Sequence, residues 1–122
     1  MEKKFTVRTL QEMKRRGEKA VMLTAFDAAT ARWAQEAGVH MLLVGDSMGN
    51  TVLGYSNTIP VTLEESISHT AAVRRGSDKC FVVGDMPFLS YQVEDLAGSV
   101  RNAGRYIKEC GADAVKLEGG RP

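Results

Sequence analysis

Apolar residues fall along the chain in two alternating rhythms. Short continuous runs, Ala20–Phe26, Val39–Val44, Cys80–Val83 and Ala114–Glu118, alternate with stretches whose apolar positions recur every three or four residues. The first pattern predicts buried strands and the second amphipathic helices. Thr6 is placed to cap a short first helix carrying Val7, Leu10 and Met13 on one side, with Gly17 as its stop. Asp27 is placed to cap a helix over Ala28–Ala37, and Gly38 follows at the usual terminating position. Thr62 and Glu65 form a capping-box pattern before Leu63, Ile67 and Ala71, with Gly76 expected to stop that helix. The cleanest helical periodicity is Leu96, Val100, Ala103 and Ile107, in a helix expected from about Val93 to Cys110 and ended by Gly111.

The resulting order is a helix, then strand and helix three times, then a strand. Alternation with short connections implies a parallel sheet with right-handed crossovers. The distances from Asp46 to Asp85 and from Asp85 to Glu118 match the ~30 to 40 residue unit of a (β/α)8 barrel. The expected fold class is therefore α/β, the first half of a (β/α)8 TIM barrel, with four parallel strands and an N-terminal helix. Residues 1–122 are expected to be the N-terminal portion of one barrel domain that stops after strand four, because a complete barrel takes about 250 residues. An open four-strand sheet is disfavoured, since no helix follows the last strand to cover it.

Composition narrows the function classes. A chain of 122 residues, 43% hydrophobic and 25% charged, has the make-up of an ordinary globular domain. A net charge of +1 gives no field to draw in nucleic acid or an anionic membrane. No run approaches the ~18 apolar residues of a membrane span, and the N-terminus lacks a signal-peptide core, so a cytoplasmic location is expected. Cys80 and Cys110 are far apart, without a neighbouring Cys or His at metal-ligand spacing, and are expected to be reduced packing residues. His69 and His40 are expected to be hydrogen-bonded structural residues.

The candidate chemistry lies in a tripeptide that occurs twice, Val44-Gly45-Asp46 and Val83-Gly84-Asp85, each time closing an apolar run. Strands of a parallel sheet deliver both aspartates to the same carboxyl edge, where α/β folds carry their active sites. Lys116 and Glu118, two apart on the fourth strand, lie on one face of it. A long loop, Gly45–Pro60, follows the first tripeptide, and loops of that length are functional or disordered. Asp46, Asp85 and Glu118 offer hard oxygen ligands without sulfur, a donor set that favours Mg²⁺ over zinc. On the functional reading the cation polarises a carbonyl and stabilises an enolate while Lys116 and Ser47 hold the anionic end of the substrate. On the structural reading each aspartate caps the segment after its strand and Lys116 pairs with Glu118.

Five separated motifs add a resemblance. They are Val44-Gly45-Asp46-Ser47-Met48-Gly49 with Gly54–Leu63, His69–Gly76, Gly84-Asp85-Met86-Pro87-Phe88, and Val115-Lys116-Leu117-Glu118-Gly119-Gly120. In this order they closely resemble the ketopantoate hydroxymethyltransferase family. The resemblance implies a (β/α)8 barrel in a homo-oligomer, decamer-like at the family's full length, acting in pantothenate biosynthesis. It implies transfer of a hydroxymethyl group from 5,10-methylenetetrahydrofolate to 3-methyl-2-oxobutanoate, giving 2-dehydropantoate, through a Mg²⁺-bound enolate. By position Asp46, Asp85 and Glu118 look like the metal ligands, and Asp46, Ser47, Asp85 and Lys116 like the residues that hold the keto acid. The family's general base is a glutamate expected beyond Pro122, so this chain is expected to carry the metal and keto-acid site and to be inactive alone. Departures are modest: Phe26 stands where a tyrosine is common, Ser56-Asn57-Thr58 where Asp-Ser-Thr is usual, and Asn50 where an apolar residue is typical. Two alternatives stay open, another Mg²⁺-dependent enolate-forming barrel of the phosphoenolpyruvate mutase and isocitrate lyase type, and a non-catalytic half-barrel module.

Overall fold

The local caps form as their sequences dictate, and they set the frame of a computed structural model that describes residues 3–92 and 95–119. Thr6 caps α1 (Val7–Arg15) in a reciprocal box with Thr9. Asp27 caps α2 (Ala28–Glu36), accepting the Thr30 amide at 2.7 Å. Between them lies β1 (Met22–Thr24), and after α2 comes β2 (Met41–Val44). The long loop after β2 is ordered around a short helix that sequence periodicity does not reveal, α3 (Met48–Thr51). Thr62 and Glu65 close the expected box on α4 (Leu63–Gly76). The chain continues through β3 (Phe81–Asp85), α5 (Leu96–Cys110) and β4 (Ala114–Lys116). Val93, where the last helix is expected to begin, and Gly120 lie outside the described residues.

All three strand pairings are parallel and the strand order is β1-β2-β3-β4, with Met22 beside Met41, Met41 beside Phe81, and Asp85 beside Lys116. Nearest-neighbour order without reversal is that of half a (β/α)8 barrel; a doubly wound sheet would reverse direction partway. Helix α4 packs against α2 on one side and α5 on the other, and lies over β3. The core between helices and sheet contains Leu42, Val44, Val73, Val82 and Tyr106, all at 0% exposure. Among the described residues no helix is long and apolar enough to cross a membrane.

Two expectations need correction. The first strand is half exposed here, at Val21, Met22 and Leu23 (48%, 48% and 50%), because among the described residues β1 pairs on one side only. Helix α5 turns its most regular apolar stripe outward, with Leu96, Val100 and Ile107 exposed, and buries Tyr106 and Cys110 instead. Gly76 does end α4, as expected, though without a left-handed turn. It is the last helical residue, and a Cβ there would lie 2.1 Å from the Ala28 carbonyl oxygen, so it marks the close approach of α4 to α2. Gly17, Gly38 and Gly111, by contrast, have the positive φ that their helix ends require.

The cysteines are free and buried, as expected. Both histidines serve the fold: His40 Nδ1 accepts the Val21 amide at 2.9 Å, and His69 Nδ1 lies 2.6 Å from the Phe26 carbonyl. At the amino-terminal end of the sheet, Arg74 pairs with Asp113 at 2.9 Å and donates to the carbonyls of Ser77 and Cys80. The same Asp113 oxygen accepts the Val82 amide at 2.9 Å, and its other oxygen meets Lys4 at 2.7 Å.

Candidate active site

Both Val-Gly-Asp tripeptides do end adjacent parallel strands, and the sheet register decides how their carboxylates meet. Gly84 pairs with Val44, so Asp46 lies just past the end of β2 and Asp85 at the end of β3, on neighbouring strands at one edge. The backbone amide of Asp46 donates to Asp85 Oδ2 at 3.0 Å. Gly45 leaves room for the Ser47 hydroxyl, since a Cβ on it would sit 3.0 Å from Ser47 Oγ. Lys116 stands directly across from Asp85 in the register, and its ammonium meets Asp85 Oδ1 at 2.9 Å. Lys116 therefore pairs first with Asp85; Glu118, the partner expected on the structural reading, is 4.0 Å away.

Asp85 is almost fully enclosed, with both carboxylate oxygens occupied. Asp46 is only partly enclosed. Burial and the neighbouring Asp85 charge push its carboxyl pKa up, against a hydrogen bond with Thr58 that lowers it. Burial pulls the Lys116 pKa down, but the hydrogen bond and charge of Asp85 outweigh that, and the net direction is up, toward a firmly held ammonium. Asp46 and Glu118 face a cleft of about 190 Å³ whose other walls include Ile59, Met86, Phe88 and Tyr91. Ser47 begins α3 without a side-chain cap, so its hydroxyl is not consumed by the helix it heads.

The residues fit a hard divalent cation in chemistry and charge. Asp46, Asp85 and Glu118 supply only oxygen, and three carboxylates outnumber the one ammonium of Lys116. Geometry is less complete: among the described residues no three acids, histidines or cysteines are already gathered as a metal-binding group. Glu118 in particular is 73% exposed along its side chain.

Sequence reasoning missed the residues that shape the cleft. Tyr91 is the clearest: its hydroxyl donates to the Glu118 carbonyl at 2.6 Å and accepts the Glu118 amide at 2.9 Å, tying the β3–α5 loop to the segment after β4. No spacing rule links positions 27 residues apart. Asn50, unusual by resemblance, donates to the Tyr55 carbonyl at 3.1 Å and holds the loop after β2 together.

The family model described as ketopantoate hydroxymethyltransferase matches residues 4–122. The chain belongs to the ketopantoate hydroxymethyltransferase family. A 3-methyl-2-oxobutanoate hydroxymethyltransferase of Thermotoga neapolitana is 61% identical over 116 residues, 95% of this chain and 42% of the relative. One from Syntrophus aciditrophicus is 54% identical over 119 residues, 98% of this chain and 43% of the relative. The chain thus spans less than half the length of the curated relatives it matches. Two solved structures share the fold: a phosphonomutase-like protein of Burkholderia cenocepacia, with TM-score 0.68 and 22% identity over 87% of this chain and 40% of that one; and 2,3-dimethylmalate lyase, a PEP mutase/isocitrate lyase superfamily member, with TM-score 0.65 and 18% identity over 88% of this chain and 37% of that one. At such identities the likeness is one of architecture, and it matches the half-barrel strand order.

Proposed function

We propose that this chain supplies the metal and keto-acid half of an enzyme that transfers a hydroxymethyl group from 5,10-methylenetetrahydrofolate to 3-methyl-2-oxobutanoate in pantothenate biosynthesis. Membership of the hydroxymethyltransferase family supports the reaction class. The observation that carries the site is the Lys116–Asp85–Asp46 cluster: one ammonium, one carboxylate it orients, and a second carboxylate left facing the cleft.

Asp46, Asp85 and Glu118 are the residues that would hold Mg²⁺, which when bound withdraws electron density from the keto oxygen of a 2-oxo acid and acidifies its C3 proton. Lys116 places a positive charge where the substrate carboxylate can pair with it, and Asp85 fixes the direction of that ammonium. Ser47 offers a hydroxyl to the same anionic end. Ile59, Met86 and Phe88 give the cleft an apolar side suited to a branched alkyl group. The base that takes the C3 proton would come from the length of the family that this chain does not span. Full-length homo-oligomeric assembly belongs to the same proposal, as does a cytoplasmic setting, which two free buried cysteines fit.

The test is calorimetric titration of the chain with 3-methyl-2-oxobutanoate in the presence and absence of Mg²⁺. Mg²⁺-dependent binding is expected, and Asp46→Ala or Asp85→Ala should abolish it. Binding that is absent in the wild type, or unchanged in both variants, removes the site assignment.

A further inference from the structure

Ser66 and Tyr106 are polar, fully buried and outside the candidate cleft. Ser66 is on α4 and Tyr106 on α5, 40 residues apart, yet their hydroxyl oxygens lie 2.7 Å from each other. Both reach the same acceptor. The Asp85 carbonyl oxygen is 2.9 Å from Ser66 Oγ and 3.0 Å from the Tyr106 hydroxyl. Two hydroxyl hydrogens satisfy this triangle when Ser66 donates to the carbonyl and Tyr106 donates to Ser66 or to the carbonyl itself.

The triangle sits where the sheet runs out. β2 pairs with β3 only as far as Val44 and Gly84; on the other side the Asp85–Met86 peptide still donates its amide to the Lys116 carbonyl at 3.1 Å, and its own carbonyl is taken by the two hydroxyls. Gly84 belongs to the same device, because a Cβ there would lie 2.3 Å from the Tyr106 ring. The glycine of the second Val-Gly-Asp is thus the space into which Tyr106 fits. As packing alone, phenylalanine and alanine would fill nearly the same volume without two buried hydroxyls to satisfy.

We propose that Ser66 and Tyr106 are positioning residues for the candidate active site: their paired hydroxyls hold the Asp85 carbonyl and so fix the carboxylate that orients Lys116 and receives the Asp46 amide. The proposal rests on the assignment of Asp85 to binding of a 2-oxo acid with a divalent cation. Ser66 touches Thr70 as well, accepting its hydroxyl at the backbone carbonyl at 2.7 Å, which anchors the triangle within α4.

The test uses Tyr106→Phe, which keeps the ring, Ser66→Ala, Ser66→Thr, which keeps a hydroxyl, and Val73→Ala as a packing control elsewhere on α4. Each is measured for thermal midpoint, for hydrogen exchange of the Asp46 amide, and for calorimetric binding of 3-methyl-2-oxobutanoate with Mg²⁺. Tyr106→Phe and Ser66→Ala should speed Asp46 exchange and weaken binding by about 5-fold, the scale of one lost hydrogen bond. Ser66→Thr should recover most of the affinity, and Val73→Ala should lower the midpoint without moving exchange or affinity. In an Asp85→Asn background, Tyr106→Phe should cause no further loss of binding. If the hydroxyl variants lower the midpoint as Val73→Ala does, with Asp46 exchange and affinity unchanged, the triangle is packing and the proposal is overturned. Should Asp85→Asn bind like the wild type, the binding assignment fails by itself, while Asp46 exchange still decides whether the triangle fixes Asp85.

Discussion

The two ends of the sheet carry ion clusters of similar composition in opposite states of completion. At the amino-terminal end Arg74 and Asp113 are 14% and 15% exposed along their side chains, and they engage carbonyls and an amide besides each other. At the carboxyl end Lys116 is 40% exposed, Glu118 is 73% exposed, and the Asp46 pKa is pushed up by burial beside Asp85. An ion cluster that closes on itself holds elements together; one left with excess charge of one sign at the rim of a cleft is poised for a ligand. The difference lies in the surroundings of the groups, since both clusters pair a cationic side chain with aspartate.

The largest effect should come from breaking the closed cluster. Arg74→Met leaves the enclosed Asp113 carboxylate with Lys4 and the Val82 amide and strips donors from the Ser77 and Cys80 carbonyls. Losing one partner of a buried pair costs about 3–5 kcal/mol, and the remaining Lys4 contact puts the expected loss at the lower end of that range. Chemical denaturation should show that loss, while any surviving folded fraction keeps its affinity for the keto acid. A stability change below ~1 kcal/mol would put this cluster in the class of surface ion pairs.

Asp27 sharpens the comparison because it too comes after a strand at the carboxyl edge, yet its charge is spent. Its two oxygens accept the Thr30 amide at 2.7 Å and the Thr30 hydroxyl at 2.9 Å. The Thr30 amide above all, then its hydroxyl, hold the Asp27 pKa below its ordinary value of 3.8. A depressed carboxylate stabilises the fold above the unfolded pKa and ceases to do so as pH falls through the folded one. Asp27→Ala should therefore cost about 1 kcal/mol near neutral pH. The gap between variant and wild type should close under acid conditions, below pH 3.8. A gap that stays constant with pH would assign the loss to helix propensity and not to the ionised cap.

How much of the molecule is legible in its sequence depends on the range of the interactions involved. Asp27, Thr62 and Glu65 are legible because a cap is decided within four residues. Strand order is legible because crossover connections leave few topologies. Burial is not: an apolar run such as Val21–Leu23 reads the same whether or not a neighbour covers it, and β1 has none on its open side. The stripe of Leu96, Val100 and Ile107 has helical period and is exposed, since the period fixes a face without saying what that face meets. At the candidate site the individual acids are visible from their tripeptides. The pairing of Lys116 with Asp85, 31 residues away, is fixed by sheet register, which only the fold supplies.

The smallest expected change in stability is the most informative about the open cluster. Asp46 has a raised pKa, so its ionisation is less favourable in the folded chain than in the unfolded one. The fold therefore loses stability from this group as pH rises from 3.8 through the raised value, and at neutral pH the charge is held at a cost. Asp46→Asn removes the charge and keeps the shape, while the Asp46 backbone amide still reaches Asp85. Stability near neutral pH should stay within ~0.5 kcal/mol of the wild type or rise slightly, even as Mg²⁺-dependent binding of the keto acid is lost. Arg74→Met should give the reverse, a large loss of stability with binding retained in the folded fraction. If Asp46→Asn destabilises the chain as an unpaired buried group would, the carboxylate belongs to the fold, and the two ends of the sheet differ only in exposure.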